Sequence, residues 1–441
     1  MPESAAAQAQ APTNKPKAMA LLASFAATSV AGLAATLALG SARAGLVAAS
    51  AFAATISAAM LISWGAEAAQ FFIAQGFAVA LIALLQVMPE FMVEAVIAWR
   101  RDIPNMFANA TGSNRLLIGL GWPLVYFTTD LTNRFRHGRG AGEIRLRREN
   151  VIELSSLLVA SSYYLKFLVI GSLTVFDGVL LIAMYGAYML VLSRLPEEEG
   201  ESKGDLLAPS RFLAELKPRA ALPSLAAVFL VGGAVMVLVA NPFVTSLERV
   251  AVAWGISTFL FIQWVAPFLS EFPEKVTAFY WSRTIRLAPM ALLNLISSVV
   301  SQYLLLVGMI PLVYGLSVFL GHVHGGPHGL FGLPIVPMSH ELAGEVFLSW
   351  AMTLYGCALI ARLRLGMAGA LSLFVLWIVQ FLPDPIHRWT GLDQPTQRYL
   401  LGGVCVALAI AHLARHWKEI DLRAALKETV RLMRHRRDQA P

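Results

Sequence analysis

The chain is short of charge. Only 14% of its 441 residues are Asp, Glu, Lys or Arg, against 57% hydrophobic ones, and the mean hydropathy is +0.64. Soluble domains carry about 25% charged residues, so a string of water-soluble domains is excluded. Cysteine is scarce as well. Cys357 and Cys405 both lie in apolar runs and are too few for a disulfide scaffold or a Cys-based metal cluster. The phosphate-binding loop, the G-x-S-x-G elbow and the Gly-rich dinucleotide loop are missing. An intramembrane hydrolase is left without a nucleophile, and nucleotide-driven transport without its loop. His340-Glu341 opens an H-E-x-x-H pattern, but Gly344 stands where the second His belongs. No cofactor is expected. The net charge of +7 suggests nucleic acid only until the charges are located, and they lie at the ends of apolar runs.

Those runs recur from end to end. A spanning helix needs ~20 apolar residues, and candidates fall at 19–39, 44–63, 67–100, 106–128, 150–170 and 173–193, then at 223–240, 246–281, 288–316, 344–361, 366–383 and 397–414. The fold class is therefore all-α: a polytopic membrane protein of about 12 transmembrane helices. A β-barrel would show ~10-residue alternating segments instead. The expected organisation is 1–43, a tail and an extra helix; 44–193, a first repeat; 194–222, a polar linker holding Glu197, Glu198 and Glu199; 223–383, a second repeat; and 384–441, an extra helix and a charged amphipathic tail.

Counting loops alternately, one side collects Lys15, Lys17, the arginines between 134 and 148, Arg194, Lys203, Arg211, Lys217, Arg219, Arg283, Arg286, Arg362, Arg364 and the basic tail. The other side holds Arg43, Arg100, Arg101, Arg249, Arg388 and Arg398. Basic residues mark the cytoplasmic face, so both termini are expected there, in a bacterial inner membrane. Lys15, Lys17, an apolar run and Ala42-Arg43-Ala44 also fit a signal peptide, although the run exceeds the usual length.

Two runs are too long for one helix, and each carries a Pro-Glu pair: Met88-Pro89-Glu90 and Phe272-Pro273-Glu274. Proline removes a backbone donor and clashes with the preceding turn, so both runs are expected to break there. Superposing the pairs aligns the chain with itself. Trp99-Arg100 faces Trp281-Ser282-Arg283, Asn109-Ala110-Thr111-Gly112-Ser113 faces Asn294-Leu295-Ile296-Ser297-Ser298, and Asp177-Gly178 faces Ala368-Gly369. Each unit has five spans. Five is odd, so the second unit starts from the opposite membrane face, and the repeats are inverted, as in many secondary transporters with midplane sites on discontinuous helices.

These residues resemble the sodium/calcium exchanger superfamily of cation/calcium antiporters. Its two inverted repeats each carry a Gly-Thr-Ser-x-Pro-Glu/Asp break followed by a helix with an Asn-x-x-Gly-Ser-Asn-x-x-Asn pattern or similar. Here the counterparts are Leu85-Gln86-Val87-Met88-Pro89-Glu90 with Asn109 to Asn114, and Leu269-Ser270-Glu271-Phe272-Pro273-Glu274 with Asn294 to Ser298 and then Gln302. The departures are specific. Gly-Thr-Ser is absent before Pro89 and survives before Pro273 only as Ser270. The last family Asn falls at Leu117 and Gln302, and Lys275 follows Glu274 directly. The carboxylate frame is kept while the family's sodium-binding hydroxyls are eroded.

Charge in the bilayer costs ~2.5–3.5 kcal/mol on insertion scales, so Glu90 and Glu274 are the leading functional residues. Hard cations such as Ca²⁺ take six to eight oxygens. Glu90 and Glu274, hydroxyls of Ser113, Ser298 and Ser270, and amides of Asn109, Asn294 and Gln302 are the candidate metal ligands. Glu94 and Glu271 lie one turn from Glu90 and Glu274 on the same helix faces and join the set, while Lys275 is placed to neutralise Glu271. Arg115 is odd beside a cation site; it is expected to snorkel or to pair with an acid such as Glu94. Glu67 and Glu248, at the start of the long runs, are expected nearer the interface, and Asp130 and Asp177 at helix ends. His322, His324 and His328 sit in a Gly-rich loop, where solvation is expected over Zn²⁺ or Cu²⁺ binding. The tail, Trp417 to Arg437, places Leu422, Leu426, Val430 and Met433 at helical spacing and reads as a helix on the membrane surface or in solvent.

The resemblance implies a secondary antiporter moving Ca²⁺ or another cation against H⁺ or Na⁺ by alternating access. Its partners are the transported ions and the lipid bilayer, with no nucleic acid. The competing expectation, motivated by the lost Gly-Thr-Ser motifs, is a membrane scaffold or sensor that keeps the fold without transporting.

Overall fold

The computed structural model describes residues 15–39, 44–72, 75–194, 202–321, 327, 329, 332–420 and 427. Among them, eight helices are long and apolar enough to cross a membrane, and two shorter apolar helices accompany them. The leading helix α1 (Lys15–Leu39) precedes a first half made of α2 (Ala44–Ala69), α3 (Gln75–Trp99), α4 (Ile103–Leu116), α5 (Trp122–His137), β1 (Glu143–Arg145), α6 (Val151–Ile170), β2 (Ser172–Thr174) and α7 (Val175–Leu192). A short α8 (Ala208–Ala214) lies in the linker. The second half runs α9 (Pro218–Ala253), α10 (Thr258–Ser270), α11 (Phe272–Ser282), α12 (Ala288–Ser301), α13 (Val307–Leu320), β3 (Ile335–Pro337), α14 (His340–Ile360), β4 (Arg364–Gly366) and α15 (Met367–Val379). Helices α16 (Pro383–Thr390) and α17 (Gln394–His416) follow.

The same order of elements thus recurs, and the halves interlock. In each, one π turn joins two helices: Leu117–Gly121 between α4 and α5, and Gln302–Leu306 between α12 and α13. A π turn widens the helical ladder and re-aims the side chains around it. The strands pair between halves, β1 with β4 and β2 with β3, both antiparallel. Each ladder buries one apolar pair at its centre, Ile144 against Leu365 and Leu173 against Val336. The helices cross over likewise: α4 packs on α10, α3 on α12, α6 on α14 and α7 on α13. Helices α2 and α9 run against each other with α1 beside them, and α17 covers α14.

The structure corrects two expectations about the long runs. Helix α3 passes through Pro89 without a break, whereas the second run does divide, at Glu271, between α10 and α11. One proline stands in α3. The second run has two, Pro267 inside α10 and Pro273 in the first turn of α11, where a missing N–H costs nothing because that donor has no helical partner. Glu271 between them takes φ −91° and ψ 7° and ends α10. The first helices of each half are also longer than expected. Helix α2 continues to Ala69, and α9 carries on through Pro223 and Pro242 to Ala253, their mutual packing outweighing the prolines. Glu67 and Glu248 therefore belong to the last turns of α2 and α9, not to the runs that follow. His322, His324, His328, the run Glu197 to Glu199 and the tail positions Leu422, Leu426, Val430 and Met433 lie outside the described residues.

Candidate cation site

The site lies where α3, α4, α10, α11 and α12 meet. Glu90, in the middle of α3, is 3% exposed, and Glu274, in the first turn of α11, is 7% exposed. Each receives a hydroxyl from a later helix of its own half. Ser113 Oγ donates to Glu90 Oε1, and Ser298 Oγ donates to Glu274 Oε2 at 2.7 Å. The sequence separations are 23 and 24 residues, so the paired motifs deliver the same contact twice.

Gln302 ties the halves together. It opens the second π turn, and its Nε2 donates to Glu90 Oε2 at 3.1 Å and to Glu271 Oε1 at 2.7 Å. The other oxygen of Glu271 accepts from Lys275 Nζ at 2.5 Å, a buried pair that spans the break between α10 and α11. Glu90 lies within electrostatic reach of both Glu271 and Glu274. Glu94, a turn further along α3, forms a separate group in which its Oε2 accepts from Asn109 Nδ2 at 2.7 Å. Ser270 turns its hydroxyl back to the Ala266 carbonyl, and Asn294 is half-buried with no bond to these carboxylates. Of the ten residues expected to act as ligands, eight thus fall into three bonded groups, Ser113–Glu90–Gln302–Glu271, Ser298–Glu274 and Asn109–Glu94, and Ser270 and Asn294 stand outside them.

Buried oxygens without a partner gather on the same helices: Glu94 Oε1, Asn109 Oδ1, Asn114 Oδ1 and Gln302 Oε1. Each unmet acceptor costs about 1–3 kcal/mol. All four are acceptors, and a cation satisfies acceptors. Among the described residues no three His, Cys, Asp or Glu side chains form a ready metal cage. Coordination here would draw on amide and hydroxyl oxygens beside two carboxylates, as hard cations accept.

Backbone proximity fixes this crossing. A Cβ on Gly112 would sit 1.9 Å from the Gln263 carbonyl oxygen, so α4 and α10 touch backbone to backbone one residue before Ser113. Only glycine fits there.

A second charged cluster lies behind α4, and the sequence reading missed most of it. Arg115, fully buried, neither snorkels nor meets Glu94. Its Nη2 pairs with Glu345 Oε2 at 2.6 Å, its Nη1 donates to Gln380 Oε1 at 3.0 Å, and its guanidinium lies 5.2 Å from the Trp264 ring centre. Arg398 Nε binds the other Glu345 oxygen at 2.8 Å, and Gln263 Nε2 donates to Oε2 at 3.0 Å. Glu345 and Arg398 line a cavity of about 490 Å³ bounded by the first turns of α4, α10, α14 and α17. The available signal was a lone charge inside each apolar run. Tyr164 and Tyr303, with ring centres 4.4 Å apart, also went unnoticed because tyrosine in such runs is common packing material.

Glu67 is buried, accepting from Ser210 at 2.6 Å and Thr277 at 2.8 Å, while Glu248 is half-exposed and pairs with Arg100 at 3.2 Å. Asp177 caps α7 together with Thr174 and accepts from Lys166, and Asp130 lies near the end of α5 with Arg134.

The chain is similar to proteins of known structure. A crystal structure of the H⁺/Ca²⁺ exchanger CAX matches with a TM-score of 0.82 and 28% identity, over 95% of this chain and 99% of that one. A Ca²⁺/H⁺ antiporter, YfkE, shares the fold at TM-score 0.52 and 12% identity, over 82% of this chain and 99% of its own. No curated protein matches in sequence. The model of the family described as sodium/calcium exchanger protein matches residues 42–194 and 224–391. These two blocks hold both Pro-Glu pairs and both serine partners, and the chain belongs to the sodium/calcium exchanger family.

Proposed function

We propose that the protein is a secondary antiporter that exchanges Ca²⁺ for H⁺ across the membrane, with Glu90 and Glu274 as the groups the two ions share. The observation that carries this reading is the pair of buried carboxylates, one from each half and each with a serine donor, with Gln302 bridging Glu90 to Glu271 and unmet acceptor oxygens on the neighbouring turns. A carboxylate pair can release two protons and take one divalent ion, leaving the charge in the low-dielectric interior nearly unchanged. Protons are favoured over sodium because the Gly-Thr-Ser hydroxyls are absent before Pro89 and reduced to Ser270 before Pro273, and because the CAX structure, similar over 95% of this chain, is of an H⁺/Ca²⁺ exchanger. Ser113 and Ser298 hold the carboxylates in place, and Asn109, Glu94 and Gln302 complete the oxygen set.

Alternating access on this reading needs two inverted five-span repeats within 12 spans. The reciprocal strand pairing, β1 with β4 and β2 with β3, supports a two-fold relation between the halves, because a simple tandem copy would pair each strand within its own half. The distribution of basic residues supports cytoplasmic termini.

The test is ⁴⁵Ca²⁺ flux in proteoliposomes under an imposed pH gradient. Wild-type protein is expected to take up Ca²⁺ without sodium, with flux falling at low pH as protons compete for the two carboxylates. Glu90→Gln and Glu274→Gln are each expected to cut the rate at least about 100-fold while the protein stays folded. Near-normal flux in either variant removes that residue from the mechanism. Absence of Ca²⁺, Na⁺ or K⁺ flux in the wild type favours the scaffold reading.

A further inference from the structure

The cation that stands inside the carboxylate cluster is part of the chain. Lys275, in the first turn of α11, is 6% exposed, and its ammonium lies 2.5 Å from Glu271 Oε2. Glu271 sits on the break that ends α10 and begins α11. Its second oxygen accepts from Gln302 Nε2, whose other contact is Glu90. A continuous chain therefore runs from the ammonium through Glu271 and Gln302 to Glu90. Burying such a pair gives little net stability, because desolvation cancels most of the attraction. Stability alone does not account for an ammonium at this position, next to Glu274.

Charge does. Glu90 and Glu274 receive serine hydroxyls, and no cationic side chain bonds them among the described residues. When ionised they call for two positive charges, which one divalent ion supplies. Glu271, if free, would add a third negative charge and two more oxygens to the same pocket. We infer that Lys275 is a built-in counter-cation that holds Glu271 out of the ion's ligand shell and so sets the charge the transported cation must bring. The residue determines specificity and release without touching the ion: it acts through Glu271, as a positioning residue.

The inference rests on the antiport reading and can fail separately from it. Lys275→Gln frees Glu271 to join the shell. The expected result for ⁴⁵Ca²⁺ exchange is a KM lowered about tenfold with a maximal rate lowered by a similar factor, because an ion bound more tightly in the ground state leaves more slowly. Lys275→Arg, keeping the charge, should restore both values to within about threefold. The double variant Glu271→Gln with Lys275→Met removes both charges and should reverse most of the KM shift. It also serves if Lys275→Gln does not fold, since it leaves no buried charge uncompensated.

An unchanged KM in folded Lys275→Gln overturns the inference, as does a strongly raised KM in the double variant, which would make Glu271 a direct ligand. A lysine that only braces the α10–α11 junction would change protein yield and thermal stability but not the balance between KM and maximal rate. If the wild type carries no cation at all, the antiport reading falls and takes this inference with it; exchange in the wild type with unmoved variants removes the inference alone.

Discussion

The two halves of the molecule agree at their centre and part company one turn away from it. At the centre, Glu90 with Ser113 and Glu274 with Ser298 are the same arrangement made twice. Around it the halves diverge. Where the first half has Glu94 on Asn109, the second has Ala278, and Asn294 makes no such bond. Where the second half has Glu271, Lys275 and Gln302, the first has Val87, Phe91 and Leu117. Each half thus contributes a buried carboxylate with a serine donor, and each sets a different polar neighbour beside it.

The sharpest way to break the comparison is at the helix crossing. Gly112 corresponds to Ser297, one position before the serine in each half. A methyl at Gly112 collides with the Gln263 carbonyl, which is backbone and cannot swing aside. Gly112→Ala is expected to cost more than about 3 kcal/mol or to prevent folding, in line with overpacking at a rigid contact. Ser297 already carries a side chain whose one bond among the described residues is a long one from Tyr188 at 3.3 Å, so Ser297→Ala should cost less than about 1 kcal/mol. Thermal unfolding of both variants in detergent measures the difference; equal losses would mean that the crossings are equivalent after all.

Next in size is the triad behind α4, which has no counterpart in the other half: the position matching Arg115 is Val300. Glu345→Gln leaves Arg115 and Arg398 buried beside each other without a carboxylate. Removing one partner of a buried pair typically costs about 3–5 kcal/mol. Changing Arg115, Glu345 and Arg398 together to Met, Leu and Met removes every charge and should recover most of that loss. A triple variant as unstable as the single one would show that the triad supports the fold through shape rather than charge balance.

Much of this arrangement was legible in the sequence because it follows from rules that act locally. Apolar run length gave the helical membrane fold but not the bounds of its helices, charged residues in those runs gave Glu90 and Glu274, and the internal alignment gave Ser113 and Ser298. The i, i+4 spacing of Glu271 and Lys275 gave their pair. What stayed hidden depends on tertiary packing. A proline predicts the loss of one hydrogen bond, not whether neighbouring helices hold the chain straight, so Pro89 was misread and Pro273 was not. Arg115 could be seen to need an acid, but Glu345 is 230 residues away by number and no periodicity connects them. Ser270 stands beside the break and still turns to its own helix, because the Ala266 carbonyl one turn back, 3.0 Å away, offers a serine hydroxyl a local acceptor.

The smallest expected effect separates two acids near the corresponding ends of α2 and α9. Glu67 is buried and takes hydroxyls from Ser210 of α8 and Thr277 of α11, so it fastens α2 to the linker helix and to the half-helix that carries Glu274. Glu248 is half-exposed and holds Arg100, just past the end of α3, at 3.2 Å. Exposed ion pairs contribute about 0–1 kcal/mol, so Glu248→Gln should shift stability little, and less at high salt. Glu67→Leu strands two buried hydroxyls and should cost about 1–3 kcal/mol with no dependence on salt. Because α2 and α9 pack along each other and touch the site helices on both sides, the two acids are the tethers of that helix pair. If the pair shifts during transport, Glu67→Leu should alter exchange rates more than Glu248→Gln even after correction for folded protein. Equal rates in the two variants would mean that α2 and α9 stay fixed against the site while ions cross.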